Sequence, residues 1–86
     1  MTVEYIIFLD WSNDELITKL KKEHKLDWWD IDEAVKGATS GKWINRKKYG
    51  RRFRVETVIE STNRKIVVYL KPVNQREGDW VVKTAF

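Results

Sequence analysis

The chain has 86 residues, is 42% hydrophobic and contains five Trp, four Gly and a single Pro. That is the size of one domain, expected over residues 1–86, and too apolar and aromatic for a disordered segment. With no Cys and only one His, disulfide frameworks and the common zinc sites are excluded, so neither a metal nor a cofactor is expected.

The net charge of +4 conceals an asymmetry. Residues 1–41 carry five Lys against nine acidic residues, and residues 42–86 carry twelve Lys or Arg against four. An acidic half followed by a basic half implies one cationic face, suited to nucleic acid or to an acidic protein.

Thr2 to Trp11 reads as a first strand. Val3, Tyr5, Ile7, Leu9 and Trp11 alternate with residues that include Ile6 and Phe8, which predicts a strand covered on both sides. The segment lacks the basic flank of a secretory signal, and its apolar run, Tyr5 to Leu9, is far too short for a membrane span. No membrane contact and a cytoplasmic location are expected.

Ser12 and Glu15 have the spacing of a capping box, which predicts a helix over about Asn13 to Lys25 with Leu16, Ile17, Leu20 and His24 along one stripe. Acids in its first turn and lysines in its last match the helix dipole. Leu26 to Trp29 reads as a turn, with Asp30 capping a second helix that faces Ile31, Ala34 and Val35 inward and ends at Gly37. The acids Asp27, Asp30, Asp32 and Glu33 fit capping and solubility better than a carboxylate metal site. Ala38 to Gly41 is a loop, and no regular element is assigned to Lys42–Gly50.

Period-two alternation follows. Phe53, Val55, Thr57 and Ile59 alternate with Arg52, Arg54, Glu56, Val58 and Glu60, and Ser61 to Arg64 forms a turn. Lys65 to Lys71 returns with Ile66, Val68 and Leu70 on one face. Pro72 ends that strand or marks an edge position, and Trp80 to Phe86 is the closing strand. The fold expected is α+β: an N-terminal strand, two helices and a three-stranded antiparallel meander.

Seven of the thirteen residues from Lys42 to Arg54 are basic and none is acidic. The cations are Lys42, Arg46, Lys47, Lys48, Arg51, Arg52 and Arg54, and Trp43, Tyr49 and Phe53 lie among them. Cations neutralise phosphates and aromatic rings stack on bases, so the pattern points to single-stranded RNA. Arg52 and Arg54 project from one strand face about 7 Å apart, close enough to share a phosphate. Such a pair can stabilise a phosphate attacked by the RNA's own 2′-hydroxyl, with Tyr49 stacking on a base or handling a proton. His24 is the natural general acid or base by pKa, although a His at a helix C-terminus can equally serve packing and the helix end.

The motifs together resemble the BrnT toxins. The resemblance rests on Trp11-Ser12-Asn13 opening a helix, Lys22-Glu23-His24 and Ile31-Asp32-Glu33-Ala34-Val35. It continues in Tyr49-Gly50-Arg51-Arg52-Phe53-Arg54-Val55 and Ile66-Val67-Val68-Tyr69. These are small RelE-like proteins, the toxin halves of toxin–antitoxin pairs. The resemblance implies a metal-independent endoribonuclease acting on mRNA, with a separate antitoxin as partner and oligomerisation possible through it. His24, Tyr49, Gly50, Arg52 and Phe53 match family positions. The family's Ser-Ala-Arg ending is absent: this chain reads Val82-Lys83-Thr84-Ala85-Phe86, with Phe86 in place of the Arg. The alternative expectation is a non-catalytic module that binds RNA or an acidic protein through the same basic face.

Overall fold

The structure, a computed structural model, describes residues 4–86. It is α+β, as expected, with two helices packed on one face of a five-stranded mixed sheet. The elements are β1 (Phe8–Asp10), α1 (Asp14–His24), α2 (Trp28–Lys36), β2 (Gly41–Arg46), β3 (Gly50–Ile59), β4 (Arg64–Asn74) and β5 (Asp79–Ala85), with a short 3-10 turn at Gln75–Glu77. The strand order is β1-β5-β4-β3-β2. β2 to β5 form an antiparallel meander of four strands, and β1 adds to β5 in parallel.

This corrects the three-stranded expectation. Lys42 to Arg46, given no regular element from sequence, lies in strand β2, paired with β3 from Gly41 opposite Val55 to Arg46 opposite Gly50. Its alternation is masked because the cations Lys42 and Arg46 stand with Ile44 at its outward positions and Gly41 fills an inward one. Gly41 is buried because the chain passes directly against Phe53, where a Cβ would come within 2.6 Å of the ring.

The predicted first strand is shorter in the structure: only Phe8–Asp10 pairs, and Thr2 and Val3 lie outside the described residues. It is not covered on both sides either. Leu9 is buried, whereas Phe8, on the opposite face of this edge strand, is 55% exposed.

α1 begins one residue later than the predicted cap. Asn13 is the N-cap, its side chain accepting from the Leu16 backbone N–H at 3.1 Å, while the Ser12 N–H donates to Asp10. The helix ends at Lys25 in the left-handed region, where its N–H donates to Leu20 and Lys21 carbonyls. In α2 the N-cap is Asp27 rather than Asp30, so Trp28 and Trp29 sit in the first helical turn and not in the turn before it. Asp27 is occupied instead by Lys21, at 2.8 Å.

The core is one cluster. Leu20, Leu26, Ile31, Ala34 and Val35 from the helical layer meet Phe53, Val55 and Ile59 of β3, Ile66, Val68 and Leu70 of β4, and Trp80, Val82 and Ala85 of β5. Alternation therefore sends the other residues of each strand to the opposite face of the sheet, which no helix covers among the described residues. Pro72 does not end β4: the strand continues to Asn74. Pairing of β4 with β3 stops at Leu70, however, so the missing N–H of Pro72 costs no bond on that side.

Candidate functional site

The open face of the sheet gathers most of the residues singled out by sequence. Registers place Lys42 opposite Arg54 and Ile44 opposite Arg52 between β2 and β3, and Arg54 opposite Tyr69 between β3 and β4. Phe53, Val55, Val68 and Leu70 point into the core, so Arg52, Arg54, Tyr69 and Lys71 share the uncovered side. The cations thus come from β2, β3 and β4 and face solvent together.

Tyr69 is at the centre of this surface. The guanidinium of Arg46 lies 4.4 Å from its ring centroid and 4.8 Å from that of Tyr49, so it is sandwiched between two rings. Phe86 continues the stack, 5.9 Å from Tyr69. Arg46 stands two strands away from Tyr69, at the far end of β2, so its long side chain reaches across β3 to make this contact. Tyr49 and Phe86, at the ends of the stack, are 49% and 48% exposed. Exposed aromatic rings of this kind are suited to stacking on bases.

Arg54 is the most constrained cation. Its guanidinium pairs with Glu56 and lies across from Tyr69, and both neighbours raise its pKa, Glu56 the more strongly. Glu56 in turn is held below the usual carboxylate range by its hydrogen bond and charge interaction with Arg54, with Lys42 adding to the effect. Among the described residues Arg52 has no carboxylate partner; its Nη1 donates to the Arg51 carbonyl at 2.9 Å. Of the two arginines proposed for a phosphate, Arg52 is therefore the less occupied.

Other residues named from sequence lie elsewhere. Trp43 is on the core side, 5.2 Å from Phe53 and 5.8 Å from Trp80. Its indole N–H donates to Glu4, and Arg51 lies over its ring at 4.3 Å, so neither Trp43 nor Arg51 joins the open face. Lys47 and Lys48 are exposed in the hairpin turn, with Lys48 5.6 Å from the Tyr49 ring. His24 is the last residue of α1, in the helical layer on the opposite side of the sheet from Arg52 and Arg54. The structure does not bring it to them.

Tyr69, Lys71 and Phe86 were not named as site residues from sequence, although the resemblance sets Phe86 in place of the family's Arg. For Tyr69 and Lys71 the signal was present: they alternate with Ile66, Val68 and Leu70, and so fall on the side opposite the core. For Phe86 it was hidden by a bulge. Tyr69 pairs with Thr84 but Leu70 with Val82, so Lys83 is an extra residue in β5. This shift turns Ala85 inward and Phe86 outward.

Among the described residues, no three His, Asp or Glu side chains are grouped to hold a metal ion. No helix there is long and apolar enough to cross a membrane. Comparison with known protein families, curated proteins and solved structures returns no match.

Proposed function

We propose that the open sheet face binds single-stranded RNA and that the protein acts as a metal-independent endoribonuclease of the RelE-like toxin kind, restrained by a separate antitoxin. The observation that carries the RNA reading is the convergence of Lys42, Arg46, Arg52 and Arg54 around Tyr69, with exposed Tyr49 and Phe86 rings at either end of the stack. Phosphates would lie along the cations and unstacked bases on the rings. The order of one strand, two helices and an antiparallel meander supports the RelE-like part of the reading.

In the proposed reaction the 2′-hydroxyl oxygen attacks the adjacent phosphorus, the 2′-proton is lost and the 5′-oxygen leaves with a proton. The products are a 2′,3′-cyclic phosphate and a 5′-hydroxyl. Arg52 and Arg54 would offset the charge that accumulates on the phosphate oxygens, which grows in the transition state and so lowers the barrier rather than merely tightening binding. Arg46, held between two rings, would fix the strand for in-line attack.

A second reading, a non-catalytic RNA-binding module, is favoured by one observation: the chain's only His lies in the helical layer, so the open face carries no side chain whose ordinary pKa is near neutrality. Incubating the protein with mixed RNA in EDTA, beside an Arg52→Ala/Arg54→Ala variant, separates the two. Cleavage by wild type alone, reduced at least about 100-fold in the variant, supports the toxin reading. RNA left intact but retarded on a gel supports the binding module. RNA neither cut nor bound sinks both.

A further inference from the structure

A second recognition surface lies beside the C-terminal half of β3. β2 covers β3 only as far as Val55, opposite Gly41, whereas β4 accompanies β3 to Ile59. Val67 exchanges both backbone hydrogen bonds with Phe86 on the β5 side, so its neighbours Ile66 and Val68 point their backbone groups at β3. Their partners Thr57 and Val55 are thus engaged with β4, and Glu56 and Val58 direct N–H and C=O groups the other way. Among the described residues no strand pairs with them there.

This free edge does not open directly to solvent. It forms one wall of a groove of about 480 Å³ whose other wall is α2 and the chain after it. The Thr57 hydroxyl donates to the Ala34 carbonyl at 2.9 Å and ties the two walls at the base. Asp30, Glu33, Glu56 and Glu60 line the groove, and no Lys or Arg does. Glu56 is paired with Arg54, but Asp30, Glu33 and Glu60 belong to none of the ion pairs among the described residues.

We infer that this groove takes an extended, Lys- or Arg-bearing segment of a partner protein as an added strand on β3. Strand addition continues the pairing that β2 ends at Val55 and satisfies the backbone groups of Val58. An added strand of about four to six residues would span the free edge. Its side chains would point alternately towards Asp30 and Glu33 on the helical side and towards Glu56 and Glu60 on the open side, so cations at successive positions meet carboxylates on both faces. The same charges repel RNA, which keeps this surface separate from the cationic one. The inference does not rest on the RNA reading and survives its failure.

The test is fluorescence anisotropy with a labelled short synthetic peptide carrying Lys at successive positions, so that both faces of the added strand are cationic, titrated with the intact protein. Binding is expected, weakened at least about tenfold when alternate peptide nitrogens are methylated, because charge is kept while backbone pairing is blocked. The Glu33→Gln/Glu60→Gln variant should weaken it by a similar factor while binding RNA as wild type does. No binding up to about 1 mM, or equal binding of the methylated peptide, would overturn strand addition. Equal binding by the variant would overturn the electrostatic basis. A dimer of this protein that the same variant dissociates would make the occupant a second copy and overturn the partner assignment.

Discussion

Glu56 stands on the border between the two surfaces, and if the open face binds RNA as proposed, Glu56 would compete with it for Arg54. Its carboxylate pairs with Arg54, which stands opposite Tyr69 at the centre of the cationic face. Replacing Glu56 with Gln should release Arg54 towards phosphate and raise RNA affinity roughly two- to fivefold, the scale of an exposed ion pair. The sign with pH follows from the direction of the shift. Arg54 holds the Glu56 pKa below its ordinary value, so the pair is present above the carboxylate range and is lost only as pH falls beneath it. Between about pH 6 and 8 Glu56 stays ionised, and the gain in the variant should be constant. Filter binding at several pH values checks this. An unchanged affinity in the variant would show that Arg54 does not contact RNA.

At the scale of elements, the position of β2 depends on close contact at its first residue. Gly41 lies against Phe53, which is itself packed by Trp43 and Trp80 with ring centroids 5.2 and 5.5 Å away. An Ala there would gain about 0.4–1 kcal/mol from a stiffer unfolded chain. It would lose about 1–3 kcal/mol to overpacking, because the buried Phe53 ring has nowhere to move. Net destabilisation is expected in urea unfolding, with the m-value unchanged; a variant as stable as wild type would mean that the ring yields. The close fit also matters for the site. β2 carries Lys42 and Arg46 to the open face, so if that face binds RNA as proposed, a strand displaced at Gly41 would weaken the binding without altering either cation.

At the scale of the molecule, the sheet separates two chemistries. One face is covered by helices and closed by the core. The other presents cations, with carboxylates concentrated at the edge where β2 ends. If Lys42, Arg46, Arg52 and Arg54 supply three or four phosphate contacts, log affinity for single-stranded RNA should fall with log salt with a slope of about −2 to −3. Gel shifts across a salt series measure it. A flat response would mean that the convergence of cations has no role in RNA binding.

The sequence by itself determined what local chemistry determines. Alternation of Phe53, Val55 and Ile59 with Arg52 and Arg54 set the two faces of β3, and the stripe of Leu16 and Leu20 with flanking caps set α1. The cationic, aromatic segment was also legible, because seven like charges cannot be buried and must lie on a surface. Tertiary structure decided the rest. β2 was not legible because its inward Gly41 is defined by the Phe53 ring it meets, and its outward face mixes Lys42 and Arg46 with Ile44, which leaves no clear strand period. Trp43 belongs to the core because Phe53 and Trp80 lie beneath it, which its position among lysines and arginines does not reveal. Phe86 reaches the open face only through the extra residue at Lys83. His24 is separated from the arginines because α1 packs on the core side of the sheet. Each of these outcomes depends on contacts between residues far apart in the chain, and a local period carries no record of them.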